Sequence, residues 1–221
     1  METSVYDMIH AGAEIELDER LRLLMARQIA RAMQYLHSRN LIHRDLKSLN
    51  LLVNTRFEIK ICDFGLSRVI DKNQPMTSNI GTVAWIAPEI FSNKKLYTEK
   101  ADVYSYGIIL WELLTRQMPF AEAEAFTIPV LVTKGKRPTL PKKVPKDYGK
   151  LMEKCWHQKG EKRPSFDEIV LRLEEQWTEA TKGAAAAVAY ALHKKGDRIE
   201  LAALDEAQAT KLGYPPHCIF K

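Results

Sequence analysis

The chain has 221 residues, of which 46% are apolar and 28% charged, and its 33 Lys and Arg against 28 Asp and Glu leave a net charge of +5. This balance excludes an intrinsically disordered chain, and the length suits one sizeable domain or a domain with an appendage. Basic and acidic residues are interleaved, with no basic run and no aromatic platform, which argues against a nucleic-acid partner. A mildly basic surface suits anionic phosphate ligands.

Cys62, Cys155 and Cys218 form neither a metal-binding spacing nor an even disulfide set. A reducing, cytoplasmic compartment is the expectation. No apolar run approaches the ~20 residues of a membrane span. The start, METSVYDMIHAGAEIELDER, lacks the basic-then-apolar order of a signal peptide. The end, Cys218-Ile219-Phe220-Lys221, has the spacing of a prenylation box but the wrong last residue.

In chain order, residues 18–39 predict an amphipathic helix. Leu21, Met25, Ile29, Ala32 and Leu36 share one face, and Asp18 is placed as N-cap. Leu51–Val53 and Phe57–Cys62 predict two short strands around an Asn54-Thr55-Arg56 turn. Gly65–Pro88 reads as a long loop, and long loops in compact domains are usually functional. ADVYSYGIILWELL, residues 101–114, is apolar on nearly every face and predicts a buried central helix. Five prolines from Pro119 to Pro145 then cut the chain into short pieces, including a helix expected at about 122–133. Two further helices are expected near 146–157 and 165–178. Beyond Lys182 an Ala-rich stretch of high helix propensity, and a second helical stretch at 197–211, predict a helical or partly disordered tail.

Three runs carry chemistry: HRDLKSLN at His43–Asn50, DFG at Asp63–Gly65, and APE at Ala87–Glu89. In this order and at these gaps they resemble the protein-kinase signature. From Met1 to about Trp177 the chain resembles the larger, C-terminal lobe of a eukaryotic protein kinase. The resemblance implies a mainly α fold with a small β element at the cleft, spanning 1–178, with 179–221 as the tail. It implies ATP and Mg²⁺ as cofactors and proteins as substrates. Asp45 corresponds to the catalytic Asp that takes the substrate hydroxyl's proton, and Lys47 to the cation near the γ-phosphate. Asn50 and Asp63 correspond to the metal ligands, and Leu52 to part of the floor under the adenine. His43, Arg44, Phe64 and Gly65 are implied supports of these loops. Glu89 is expected to pair with Arg163, and Asp102 to hold the backbone of the catalytic loop; the plainer expectation for Asp102 is a helix N-cap. Thr82 and Trp85 are expected to shape the substrate groove, and Thr77 or Ser78 to accept a regulatory phosphate that pairs with Arg44 and Arg68. Cys62 is expected to be a small buried residue and not a reactive thiol.

The Lys-bearing DLKSLN loop points to Ser or Thr as acceptor, while WIAPE and SYGIILWEL look tyrosine-kinase-like. The mixture resembles the tyrosine-kinase-like group of serine/threonine kinases, with dual specificity left open. The chain has no lysine before Lys47 and no G-x-G. The expectation is therefore that the N-terminal β-rich lobe is absent, that the chain alone is inactive or nearly so, and that a partner covers the exposed apolar top of the lobe. Two alternatives stand beside this: a non-catalytic fragment that docks substrates or competes with an intact kinase, and a partial product of a larger protein.

Overall fold

The structure, a computed structural model, describes residues 3–10, 17–63, 68–69, 80–92 and 97–193, and the side chains of all of these except 68–69, 80–82 and 183–193. Phe64, Gly65, Thr77, Ser78, Cys218 and the stretch 197–211 lie outside the described residues. The chain divides into two compact units, Met1–Trp177 and Thr178–Lys221.

The first unit opens with strand β1 (Thr3–Ser4) and helix α1 (Val5–His10). Helix α2 (Glu19–Ser38) follows, and the Asp18 carboxylate caps it by accepting from Leu21 N at 2.7 Å. Its buried positions are Leu23, Met25, Ala26, Ile29, Ala30 and Met33. This corrects the expected stripe: Met25 and Ile29 lie on it, but Leu21, Ala32 and Leu36 are only half-buried. The reason is that α2 packs on two sides, against the central helix and against the small sheet.

Strands β2 (Leu41–Ile42), β3 (Leu51–Val53), β4 (Ile59–Ile61) and β5 (Arg68–Val69) form two antiparallel sheets, β1-β3-β4 and β2-β5. In β3, Leu51 and Val53 point inward while Leu52 is half-buried, paired across to Ser4 and Lys60. Within the expected loop the described part is not all irregular: it holds β5 and a 3-10 turn at Ile80–Trp85. Helix α3 (Pro88–Phe91) starts on its proline, whose missing N–H costs nothing at a helix start.

Helix α4 (Glu99–Thr115) is the axis of the unit, with every residue from Ala101 to Leu113 buried. Asp102 is its fourth residue, so it is no N-cap; Thr98 holds that place. Gly107 lies where α4 meets helix α6 (Lys146–Cys155): a Cβ there would come within 2.9 Å of Trp156 N and 3.0 Å of Cys155 Cβ. Helix α5 spans only Ile128–Thr133, which corrects the expected 122–133. Pro129 sits in its first turn, where its fixed φ starts a helix, and the Ala/Glu stretch before it forms turns. Helix α7 (Phe166–His193) opens with a capping box: Glu168 N donates to Ser165 Oγ and Ser165 N to Glu168 Oε2. It runs 15 residues past the expected end at 178, because the Ala-rich run continues its helical propensity. In the second unit the described residues belong to this helix.

Candidate active site

Strand β2 delivers the chain into a turn that α4 holds from below. Asp102 is fully buried, and its carboxylate accepts from His43 N at 2.8 Å and Arg44 N at 2.9 Å. His37 Nε2 lies 3.0 Å from the same carboxylate, and the His37 ring stacks edge-on against Phe166. Arg44 has φ 69°, a left-handed conformation that costs a non-glycine residue about 1–2 kcal/mol. Two charge-assisted bonds to Asp102, each worth about 1.5–3 kcal/mol, offset that cost. From the other side Tyr97 Oη donates to Arg44 O at 2.9 Å.

His43 is fully buried and ties this turn to the neighbouring loop. Its Nδ1 accepts from Asp45 N at 3.3 Å, which assigns the proton to Nε2, 3.1 Å from Cys62 O. Lys47 Nζ then sits 2.6 Å from Asp45 Oδ2. Asn50 Nδ2 donates to Asp45 O at 2.8 Å and to Oδ2 at 3.1 Å. One carboxylate oxygen thus gathers a cation and an amide, and Oδ1 accepts no hydrogen bond from a described residue.

The second loop is fastened to the first by Asn50 O, which accepts from Cys62 N at 2.9 Å and from the Cys62 thiol at 3.3 Å. Cys62 is half-buried rather than buried, and burial, then the Asp63 charge, pushes its thiol pKa up. It is a weak nucleophile. Asp63 is exposed, with φ 64°. No group of three or more His, Cys, Asp or Glu among the described residues makes a protein-only metal cage. Asn50 Oδ1 and the Asp63 carboxylate offer hard oxygen donors on adjoining loops. That set fits Mg²⁺, which takes one or two protein oxygens and completes its shell with water and phosphate.

Below, Arg163 is fully buried and holds Glu89 in a bidentate pair at 2.6 and 2.8 Å, while it also donates to His157 O and Lys100 O. Trp85 is buried, and its carbonyl accepts from Ser105 Oγ at 2.7 Å. Thr82 lies in the Ile80–Trp85 turn, and its side chain is outside the described ones. Sequence reasoning missed His37, Tyr97 and Glu112. His37 and Tyr97 each reach a partner more than 50 residues away, and no local signal marked them.

Residues 4–173 match the protein tyrosine and serine/threonine kinase family. An RGS domain-containing serine/threonine-protein kinase of Dictyostelium discoideum is 52% identical over 153 residues, covering 69% of this chain and 13% of that protein. A probable LIM domain-containing serine/threonine-protein kinase of the same organism is 49% identical over 154 residues, covering 70% and 24%. Serine/threonine-protein kinase STY17 of Arabidopsis thaliana is 40% identical over 173 residues, covering 78% and 30%. The chain spans less than a third of the length of these relatives. With a match across most of its length, mainly helical architecture and both signature loops side by side, the chain belongs to the protein tyrosine and serine/threonine kinase family.

Proposed function

We propose that the site transfers the γ-phosphate of ATP to a Ser or Thr hydroxyl of a protein, with Mg²⁺ as cofactor. The observation that supports this most is the convergence on Asp45: Lys47 and Asn50 meet one carboxylate oxygen, and no described residue donates to the other. In this reading Asp45 Oδ1 accepts the hydrogen bond of the acceptor hydroxyl and takes its proton late. The acceptor oxygen bonds to the γ-phosphorus, the bond to the bridging oxygen breaks, and ADP leaves with that oxygen. Lys47 offsets charge on the transferring group. Asn50 and Asp63 would hold Mg²⁺, which supplies positive charge to offset that of the phosphates, and Leu52 would form part of the adenine floor. Glu89 and Arg163 brace the segment that seats the acceptor. Residues 1–178 constitute the catalytic lobe and 179–221 a C-terminal tail.

The preference for Ser and Thr rests on the Lys-bearing loop and on the relatives' printed activity. The 221 residues hold no lysine before Lys47, so we expect weak nucleotide binding and slow transfer by this chain alone. Phosphoamino-acid analysis of a generic protein substrate labelled with Mg·ATP tests the specificity. Phosphoserine or phosphothreonine is expected, and phosphotyrosine as the main product overturns it.

A second reading, a docking module, has one observation in its favour. Phe126, in the turn before α5, and Val130, in its first turn, are 79% and 53% exposed. Capture of a substrate protein that survives both Asp45→Asn and Asp63→Asn would favour that reading over catalysis.

A further inference from the structure

A cavity of about 270 Å³ lies outside the residues assigned to transfer, between the end of α2, strand β2 and the first residues of α4 and α7. Its apolar wall is Leu41, Ile42 and Phe166, and the last two are almost fully buried. The polar groups around it are rich in acceptors. Gln34 Nε2 donates to Asp167 Oδ1 at 2.7 Å, which bridges α2 to α7. Gln34 Oε1 and Asp167 Oδ2 are left without a partner among the described residues. Glu99, the first residue of α4, makes no hydrogen bond or ion pair with a described residue. His37, a largely buried side chain, supplies one more acceptor. The Asp102 carboxylate accepts from it at 3.0 Å, so the shared proton sits on His37 Nε2. In the neutral ring Nδ1 is then an acceptor, and it too has no described partner.

Charge points the same way. Two helix starts, those of α4 and α7, each contribute about half a positive charge, while Glu99 and Asp167 each carry a full negative one. The balance is about one negative charge. No lysine or arginine lines the cavity. Arg39 and Lys100, cations adjacent in sequence to its lining, are spent elsewhere, over the Tyr35 ring and on Arg163 O. An anion, or a neutral ligand that only accepts, would leave these acceptors unmatched. A ligand with several N–H donors, one positive charge and an apolar body answers all three features. A planar amidinium or guanidinium fork suits a carboxylate, and the apolar body covers Leu41, Ile42 and Phe166.

We propose that this cavity binds an organic cation of the amidinium or guanidinium class, carried by a small molecule or by an arginine side chain. The cation pairs with Glu99 and Asp167, and its N–H groups reach His37 Nδ1 and Gln34 Oε1. The site does not rest on the kinase reading, and its test needs no phosphate transfer.

Titration of the 221-residue chain with benzamidine tests this, read by NMR at the ¹⁵N-labelled His37 ring. A saturable shift of the His37 signals is expected. Benzoate, of the same shape and opposite charge, is expected to give none. Glu99→Gln combined with Asp167→Asn, both exposed positions, should weaken benzamidine at least about tenfold. Should that double variant not fold, Glu99→Gln alone decides, with a loss of about threefold expected. Competition tells the two sources apart. An acetyl-Gly-Arg-Gly-amide peptide that displaces benzamidine at lower concentration than methylguanidine places the cation on a polypeptide, and the reverse order makes it a free ligand. The proposal is overturned if benzamidine gives no saturable shift, if benzoate shifts His37 equally, or if the variants bind benzamidine as well as the unvaried chain.

Discussion

At Asp45 one carboxylate oxygen meets two demands: it anchors a lysine and orients an asparagine. Other carboxylates do simpler work, and their removal has different signatures. Glu89 pairs with an Arg163 side chain that has no exposed surface. Glu89→Ala therefore strands a buried guanidinium, and a loss of about 3–5 kcal/mol is expected in urea unfolding. Glu174 behaves differently. Burial raises its pKa, but Arg27 at 2.6 and 3.1 Å, and Arg31 at 2.7 Å, outweigh that and bring it below the ordinary value. A depressed carboxylate stabilises the fold above its unfolded pKa, and that contribution fades as pH falls through the folded one. Glu174→Gln should accordingly be less stable than the unvaried chain at about pH 7, and the difference should shrink as the pH falls below the ordinary carboxylate range. A difference that persists in acid would mean the arginines do not act through charge.

Among the elements, α4 sets the geometry, and its fit against α6 is close. The Cβ of Gly107→Ala would meet Trp156 N and Cys155 Cβ at 2.9 and 3.0 Å, where backbone has no room to yield. Overpacking of that kind costs about 1–3 kcal/mol, readable in thermal unfolding. Gly160→Ala, whose nearest neighbours lie at 3.6 and 3.7 Å, should cost far less. The elements read most surely from sequence are those decided locally. Asp18 caps α2 and an unbroken apolar run makes α4. What escaped were features set by distant partners. The buried face of α2 includes Leu23 and Met33 because two neighbours cover it, and an apolar pattern assumes one. Helix α5 starts six residues later than expected because Pro129 outweighs the helix-prone Ala/Glu run before it. Glu112 carries no local signal in a mostly apolar helix; only the fold brings Ser48 and Trp85 to it.

Across the molecule, the site was legible where order and spacing of motifs carry the chemistry. Asp45, Lys47 and Asn50 stand within eight residues, and the family match over 4–173 includes that stretch. Its support was less legible, because His37, Tyr97 and Glu112 act across 53 to 102 residues of chain. No described helix is long and apolar enough to cross a membrane. In the proposed transfer one carboxylate, Asp45, accepts the proton, and α4 holds its loop in place through Asp102. The initial rate of Mg·ATP-dependent phosphate transfer to protein, compared between the unvaried chain and Asp45→Asn, tests that most directly. A slow but measurable rate that falls at least about 100-fold in Asp45→Asn, with nucleotide affinity little changed, is the predicted result. Equal, measurable rates in the two proteins would contradict it.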